Sequence, residues 1–200
     1  MADDYAVVAR EELGGPIDVI GISTGGSIAL VFAVRHPELV HRLVVYSAAH
    51  ALGPEGRAFQ HRCAESTRAG HWDDVTAESL AFMFLPRQGR RRRLLLPLVS
   101  LAGRLAARLA RPPSIPSDYV ITIEAEDAFD YRERLGEIAA PTLVVGGVRD
   151  PFYTPALFRE TAAGILDARL ILYPGMGHPA SGKRFKQDVL VFLREGRDDS

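Results

Sequence analysis

The 200-residue sequence has a single cysteine, Cys63, and a single tryptophan, Trp72. One cysteine excludes an internal disulfide framework and any cysteine-based zinc cluster. No His/Asp/Glu group has metal-ligand spacing, so no metal is expected, and no organic cofactor is implied. Long apolar runs are missing too: none approaches the roughly 18–20 residues that a membrane span needs. The N-terminal MADDYAVVAREELGG is acidic and lacks the basic and apolar segments of a secretory signal, which points to a cytoplasmic protein. There is no excess charge of either sign. With 24 basic and 25 acidic residues the formal net charge is −1, which gives no electrostatic reason to expect nucleic acid as a partner. What is there is ordinary for a globular chain, 47% hydrophobic and 24% charged, and long enough to bury a substantial core.

Residues 3 to 13 have the composition of a short helix stopped by Gly14-Gly15 and Pro16. IDVIGI follows as a short apolar run of strand length, rich in β-branched residues, as expected of a strand buried on both faces. Residues 24 to 36 read as a helix apolar nearly all round, which belongs against a sheet. Residues 42 to 48 (RLVVYSA), 141 to 148 (PTLVVGGV) and 168 to 174 (ARLILYP) read as three further strands. Thr154 reads as an N-cap with Pro155 at the first helical position, and the last helix spans roughly 182 to 195. This alternation predicts an α/β fold, a parallel sheet with helices on its faces. The rhythm breaks between about 50 and 130. That stretch has no convincing strand before Ile121, and VITIEAE reads equally well as helix, so it has the look of an inserted helical cap. The division expected is a first part of the core at 1–49, a cap at 50–130 and a second part of the core at 131–200.

The stretch DVIGISTGGSIAL carries the chemistry. Gly21-Ile22-Ser23-Thr24-Gly25 has the form G-x-S-x-G, placed where a strand pattern turns into a helix pattern. A serine on so sharp a turn needs a strained backbone, and side chains two residues to either side are expected to collide. Glycines at 21 and 25 relieve that collision, and Gly26 lets the following helix lie close to the sheet. The turn aims the Thr24 N–H and the helix N-terminus at the oxygen of a bound acyl group. Other Gly-rich readings fail: there is neither G-x-x-x-x-G-K-[ST] nor G-x-G-x-x-G here. The serine needs a base and the base an orienting acid. Of six histidines, His178 in YPGMGHPA follows the fourth strand directly. His36 and His41 flank a helix-to-strand turn, His61 and His71 fall in the middle region, and His50 is not placed to be the base, though it could line the site. Asp150 closes the third strand in VVGGVRDPFYTP; the second strand, ending in SAAH, offers no carboxylate.

The order Ser23, Asp150, His178, with each residue on a loop beyond a strand, resembles the α/β-hydrolases along nearly the whole chain, and most closely their esterase and haloperoxidase-like branch with a helical cap. The resemblance implies Ser23 as nucleophile, His178 as general base and then acid, Asp150 as orienter of the imidazole, and Thr24 N–H as one oxyanion donor. It also implies a departure. Members of that family carry several strands before the elbow, and a loop among them supplies a second oxyanion N–H. Here Met1 falls at the helix before the elbow strand, so a partial fold is expected. The elbow strand then has one open edge, through which pairing into a homo-oligomer is expected.

Three functions remain open at this point. The leading one is a serine hydrolase acting on a carboxylic ester or related small-molecule acyl substrate, with the cap shaping the acyl pocket. The others are a hydrolase-like binding protein or fragment without turnover, and cofactor-free haloperoxidase or perhydrolase chemistry on the same triad. Phe59, Trp72, Phe82, Phe84 and Phe129 are candidate cap aromatics, most of them expected in the cap core. In RRRRLLLPLVSLAGRLAARLAR, residues Arg93, Ser100, Arg104, Arg108 and Arg111 share one helical face and Leu101, Leu105 and Leu109 another. The favoured reading is a solvated outer face; the other is a basic amphipathic lid for an anionic lipid surface or a long acyl chain.

Overall fold

Alternation of apolar side chains along two central strands sets the layers. The computed structural model describes residues 1–86, 88–109 and 116–195. Its elements are α1 (Ala2–Glu11), β1 (Ile17–Ile22), α2 (Thr24–Arg35), β2 (Val40–Tyr46), α3 (Pro54–Arg68), α4 (Trp72–Phe84), α5 (Arg90–Leu109), α6 (Pro116–Asp127), β3 (Thr142–Gly147), α7 (Pro155–Gly164), β4 (Ala168–Tyr173) and α8 (Lys183–Arg194). The strands form one parallel sheet in the order β1-β2-β3-β4. Two compact units result, residues 1–53 with 129–195, and residues 54–109 with 116–128.

In the first unit, Leu43 and Val45 of β2 and Val144 of β3 face one side, where they pack with the alanines of α1, Leu30 and Phe32 of α2 and Phe158 of α7. Their neighbours Val44, Tyr46, Leu143 and Val145 face the other side and pack with Val189 and Phe192 of α8. The period of two in the strands thus feeds two cores, as a parallel sheet covered on both faces requires. Phe158 is fully buried because Gly146 leaves room for it; a Cβ there would lie 2.3 Å from the ring. α7 starts as its sequence dictates, with the Thr154 hydroxyl accepting from Leu157 N–H at 3.3 Å.

One expectation is corrected at β1. It is not buried on both faces: Ile20 and Ile22 are 48% and 49% exposed. Among the described residues β1 pairs only with β2, and its other side forms with α1 and α2 an apolar groove of about 360 Å³ that includes Tyr5, Val8, Leu13 and Ile28. The hydrophobic run is therefore that of a strand with one paired edge, which periodicity cannot distinguish from a central one.

The second unit is entirely helical among its described residues, and VITIEAE is part of α6, not a strand. α3 and α6 are joined by Gln60 to Glu126 at 2.5 Å, Arg57 to Asp127 at 2.6 Å and Arg68 to Glu124 at 2.5 Å. Phe59 and Phe82 stack at 4.1 Å, and Trp72 meets Tyr119 edge-on. Phe84 is 71% exposed and so is not a core aromatic, and Phe129 belongs to the first unit, where it stacks on Tyr131. Cys63 is buried, which pushes its thiol up to about 11. α5 packs on α4 through Gly103, where a Cβ would lie 2.6 Å from Ala77 Cα. Arg111 lies outside the described residues. No described helix is long and apolar enough to cross a membrane.

His50 is a buried histidine of the first unit. Its N–H and its Nδ1 both reach the Thr161 hydroxyl, at 3.0 and 3.1 Å, and that hydroxyl donates to Leu157 carbonyl at 2.8 Å. Since the Thr161 proton is committed, Nδ1 carries the hydrogen and Nε2 is left without a hydrogen-bond partner. Burial, then the nearby Arg132 charge, lowers the imidazole pKa from its ordinary 6.5, against an opposing pull from Asp130 and Glu160. The unfolded chain therefore takes up a proton at His50 that the folded chain refuses, so stability falls as pH drops below 6.5. Urea midpoints measured from pH 7.5 down to about 5 should decline, and the decline should be shallower in His50→Gln.

Candidate active site

The C-terminal ends of β1, β3 and β4 lie along the same end of the sheet, with β2 between β1 and β3, because the sheet is parallel and in chain order. Ser23 directly follows β1, Asp150 lies three residues past the end of β3, and His178 lies on the loop after β4. That loop is anchored to its neighbours. Arg149 N–H donates to Met176 carbonyl at 2.9 Å, Val148 N–H to Tyr173 carbonyl at 3.1 Å, and Ala180 N–H to Ser47 Oγ at 3.0 Å. The buried Tyr46 hydroxyl donates to Ala180 carbonyl.

Ser23 has φ 52°, in the left-handed region that serine rarely occupies, at a cost of roughly 1–3 kcal/mol. The turn holds because Ser23 N–H donates to Tyr46 carbonyl at 3.0 Å and Gly26 N–H to Ser23 carbonyl at 2.7 Å. Two glycines make this approach possible. A Cβ on Gly21 would lie 2.4 Å from Gly25 carbonyl oxygen, and one on Gly26 would lie 2.3 Å from Ala48 Cβ. The expected clash at position 25 is corrected: a Cβ on Gly25 meets nothing within 4 Å. The steric demand is therefore carried by Gly21 and Gly26. Thr24 opens α2, so its N–H is among those with no carbonyl four residues earlier in the helix.

The three side chains predicted from sequence come together. His178 Nδ1 lies 2.8 Å from Asp150 Oδ2, and His178 Nε2 lies 3.0 Å from Ser23 Oγ. A carboxylate only accepts, so Nδ1 carries the hydrogen and Nε2 is free to accept from the serine hydroxyl. The second oxygen, Asp150 Oδ1, accepts the N–H groups of Phe152 and Tyr153 at 2.9 and 3.1 Å. These two backbone bonds to Oδ1 orient the carboxylate with Oδ2 toward the histidine, and the Asp150 side chain is wholly buried. The Phe152 ring, 4.7 Å from the imidazole centroid, flanks His178. His50 is not brought to this group; it lies beneath α7 on Thr161. His36 and His41 pair with Asp3 and Asp18, and His61 with Asp127.

Two positions escape a sequence reading. A Cβ on Gly147 would lie 2.4 and 2.5 Å from the carbonyl oxygens of Met176 and Gly177, so the histidine loop rests on that bare backbone. The signal was present in the double glycine of VVGGVRD. Ser47, at φ 45°, holds Ala180 through its hydroxyl; nothing in SAAH announces it.

A parallel sheet with flanking helices, a strained serine at a strand-to-helix turn and a serine–histidine–aspartate line define a hydrolase-type scaffold. The model of the Alpha/beta hydrolase family matches residues 1–184, and the chain belongs to that family. It is 32% identical, over 97% of its length, to a Rhizobium rhizogenes protein carrying the name carbamate hydrolase RutD, of which the matched region is 73%. It is 30% identical over 88% of its length to a 2-hydroxy-6-oxononadienedioate/2-hydroxy-6-oxononatrienedioate hydrolase from Cupriavidus pinatubonensis, covering 62% of that protein. The enol-lactonase from Burkholderia xenovorans LB400 has the same fold, with a TM-score of 0.75 at 24% identity, over 97% of this chain and 72% of that one. The chain is thus shorter than these relatives.

The glycine geometry separates three variants. Gly21→Ala and Gly26→Ala should each lose about 1–3 kcal/mol through forced displacement. Gly25→Ala should stay within about 0.5 kcal/mol of the parent. Urea denaturation of the three variants tests this ranking.

Proposed function

We propose that this chain is a serine hydrolase that cleaves a carboxylic ester or a related acyl substrate through an acyl-enzyme on Ser23. The observation that carries the reading is the unbroken line from Ser23 Oγ through His178 to Asp150, with bonds of 3.0 and 2.8 Å, on a serine held at positive φ. Family membership and relatives named as hydrolases support it independently.

In this mechanism Ser23 Oγ attacks the substrate carbonyl carbon while its proton passes to His178 Nε2. Asp150 keeps the hydrogen on Nδ1 and faces the imidazolium that forms. The Thr24 N–H, at the positive end of α2, donates to the oxyanion. The tetrahedral intermediate collapses as His178 returns the proton to the leaving alkoxide, which departs as the alcohol. Water then attacks the acyl-enzyme by the same path in reverse roles, releasing the acid and restoring Ser23. Gly147 acts as a positioning residue, since the histidine loop rests on it.

Hydrolysis of p-nitrophenyl butyrate tests the reading. Asp150→Asn should lower kcat about 10⁴-fold, and Ser23→Ala and His178→Ala should lower it at least as much. Gly147→Ala should cost about 10²-fold in kcat, with the circular dichroism spectrum retained, as expected for a misplaced rather than a missing base. Hydrolysis unchanged in folded Ser23→Ala would contradict the proposal.

A further inference from the structure

The outward face of α5 is apolar where a solvated helix should be polar. Leu94, Leu98, Leu101, Leu105 and Leu109 recur at spacings of four, three, four and four, which puts them on one stripe. They are 62%, 64%, 67%, 57% and 82% exposed. The opposite face is the packed one, carrying Gly103 against Ala77 and the buried Ala107. The arginine face is solvated as expected, Arg104 and Arg108 being 53% and 74% exposed, but the leucine face meets solvent as well. A contiguous apolar surface of this kind marks an interaction site.

Charge identifies what covers it. α5 contains six arginines and no carboxylate. Arg104 pairs with Asp74 at 2.8 Å and Arg108 lies 3.9 Å from Asp73, so these two help hold α5 on α4. Arg90 to Arg93 have no ion-pair partner among the described residues; Arg92 only reaches Pro86 carbonyl at 3.4 Å. Four cations in the first turn oppose the positive end of the helix dipole, so helix formation does not account for them. A second copy of this face is a poor occupant. Two α5 helices set face to face would bring Arg90 to Arg93 against their own copies when parallel, and against the end carrying Arg104 and Arg108, whose charges Asp74 and Asp73 already take up, when antiparallel.

We propose that the leucine face of α5 docks on an anionic lipid surface, with the five leucines entering the headgroup–acyl boundary and Arg90 and Arg91, four and three residues before Leu94 on the same stripe, meeting lipid phosphates. A basic amphipathic helix with leucines on its apolar side is suited to lie in that plane. The site belongs to the helical unit and does not depend on the triad reading.

Flotation of the full chain with phosphatidylglycerol vesicles, beside neutral phosphatidylcholine vesicles, tests it. Binding to the anionic vesicles is expected, weakening with salt. Arg90→Gln and Arg91→Gln should each weaken binding about fivefold, and the two together more than tenfold. Leu98→Ser/Leu101→Ser/Leu105→Ser should weaken it by roughly tenfold or more, because less apolar area enters the lipid. Arg90, Arg91 and the three leucines are exposed, and an unchanged circular dichroism spectrum checks that the variants fold. Failure to float with phosphatidylglycerol, or equal flotation with both lipids, would overturn the proposal. So would a dimer in lipid-free buffer that the triple leucine variant converts to monomer.

Discussion

Close approach of backbone to backbone at the C-terminal edge of the parallel sheet is the constraint on which the site depends. Three glycines grant it. Gly21 lets the start of α2 fold back on the end of β1, Gly26 lets α2 rest on Ala48, and Gly147 lets the histidine loop lie on β3. Each contact involves backbone or a β-carbon rather than a flexible side-chain end, so a neighbour cannot yield by changing rotamer. The strained Ser23 and the reach of His178 toward Asp150 are both consequences of this packing. The hydroxyls of Tyr46 and Ser47 complete it by tying Ala180 to the end of β2.

The rigidity behind that edge comes from β2 and β3. Leu43, Val44, Val45, Val144 and Val145 are buried on alternating faces, and the helices on both sides close over them. Such double burial stabilises the sheet strongly enough to offset a residue or two in unfavourable conformations at its rim, a cost of about 1–3 kcal/mol each. Ser23 and Ser47, the described non-glycine residues with positive φ, both lie at that rim. Strain and buried core thus belong to the same strand ends.

Much of this was legible in the sequence. The four strands were visible because their apolar runs end in turn signals, and their bounds shift by no more than two residues in the structure. Ser23, Asp150 and His178 were legible because each follows a strand in a fixed order. What was not legible was what depends on contacts distant in sequence. The run IDVIGI reads as doubly buried, yet whether a strand has one neighbour or two is decided by residues other than its own. The elbow pattern names Gly25, while the space around Cβ positions assigns the steric role to Gly21 and Gly26. The heptad-like leucines of α5 give a correct helix but not its orientation, which Gly103 decides by packing on Ala77. In each case local periodicity determines the element and tertiary contact determines which face is covered.

The central claim is that Ser23 is activated by an assembled histidine–aspartate pair. Intact mass and peptide mapping after exposure to a fluorophosphonate test it most directly, because the reagent needs an activated serine and no knowledge of the substrate. The account predicts a single adduct on Ser23 of the folded protein, absent from His178→Ala and from protein unfolded in urea. An adduct on another serine, or none on folded protein, would contradict it.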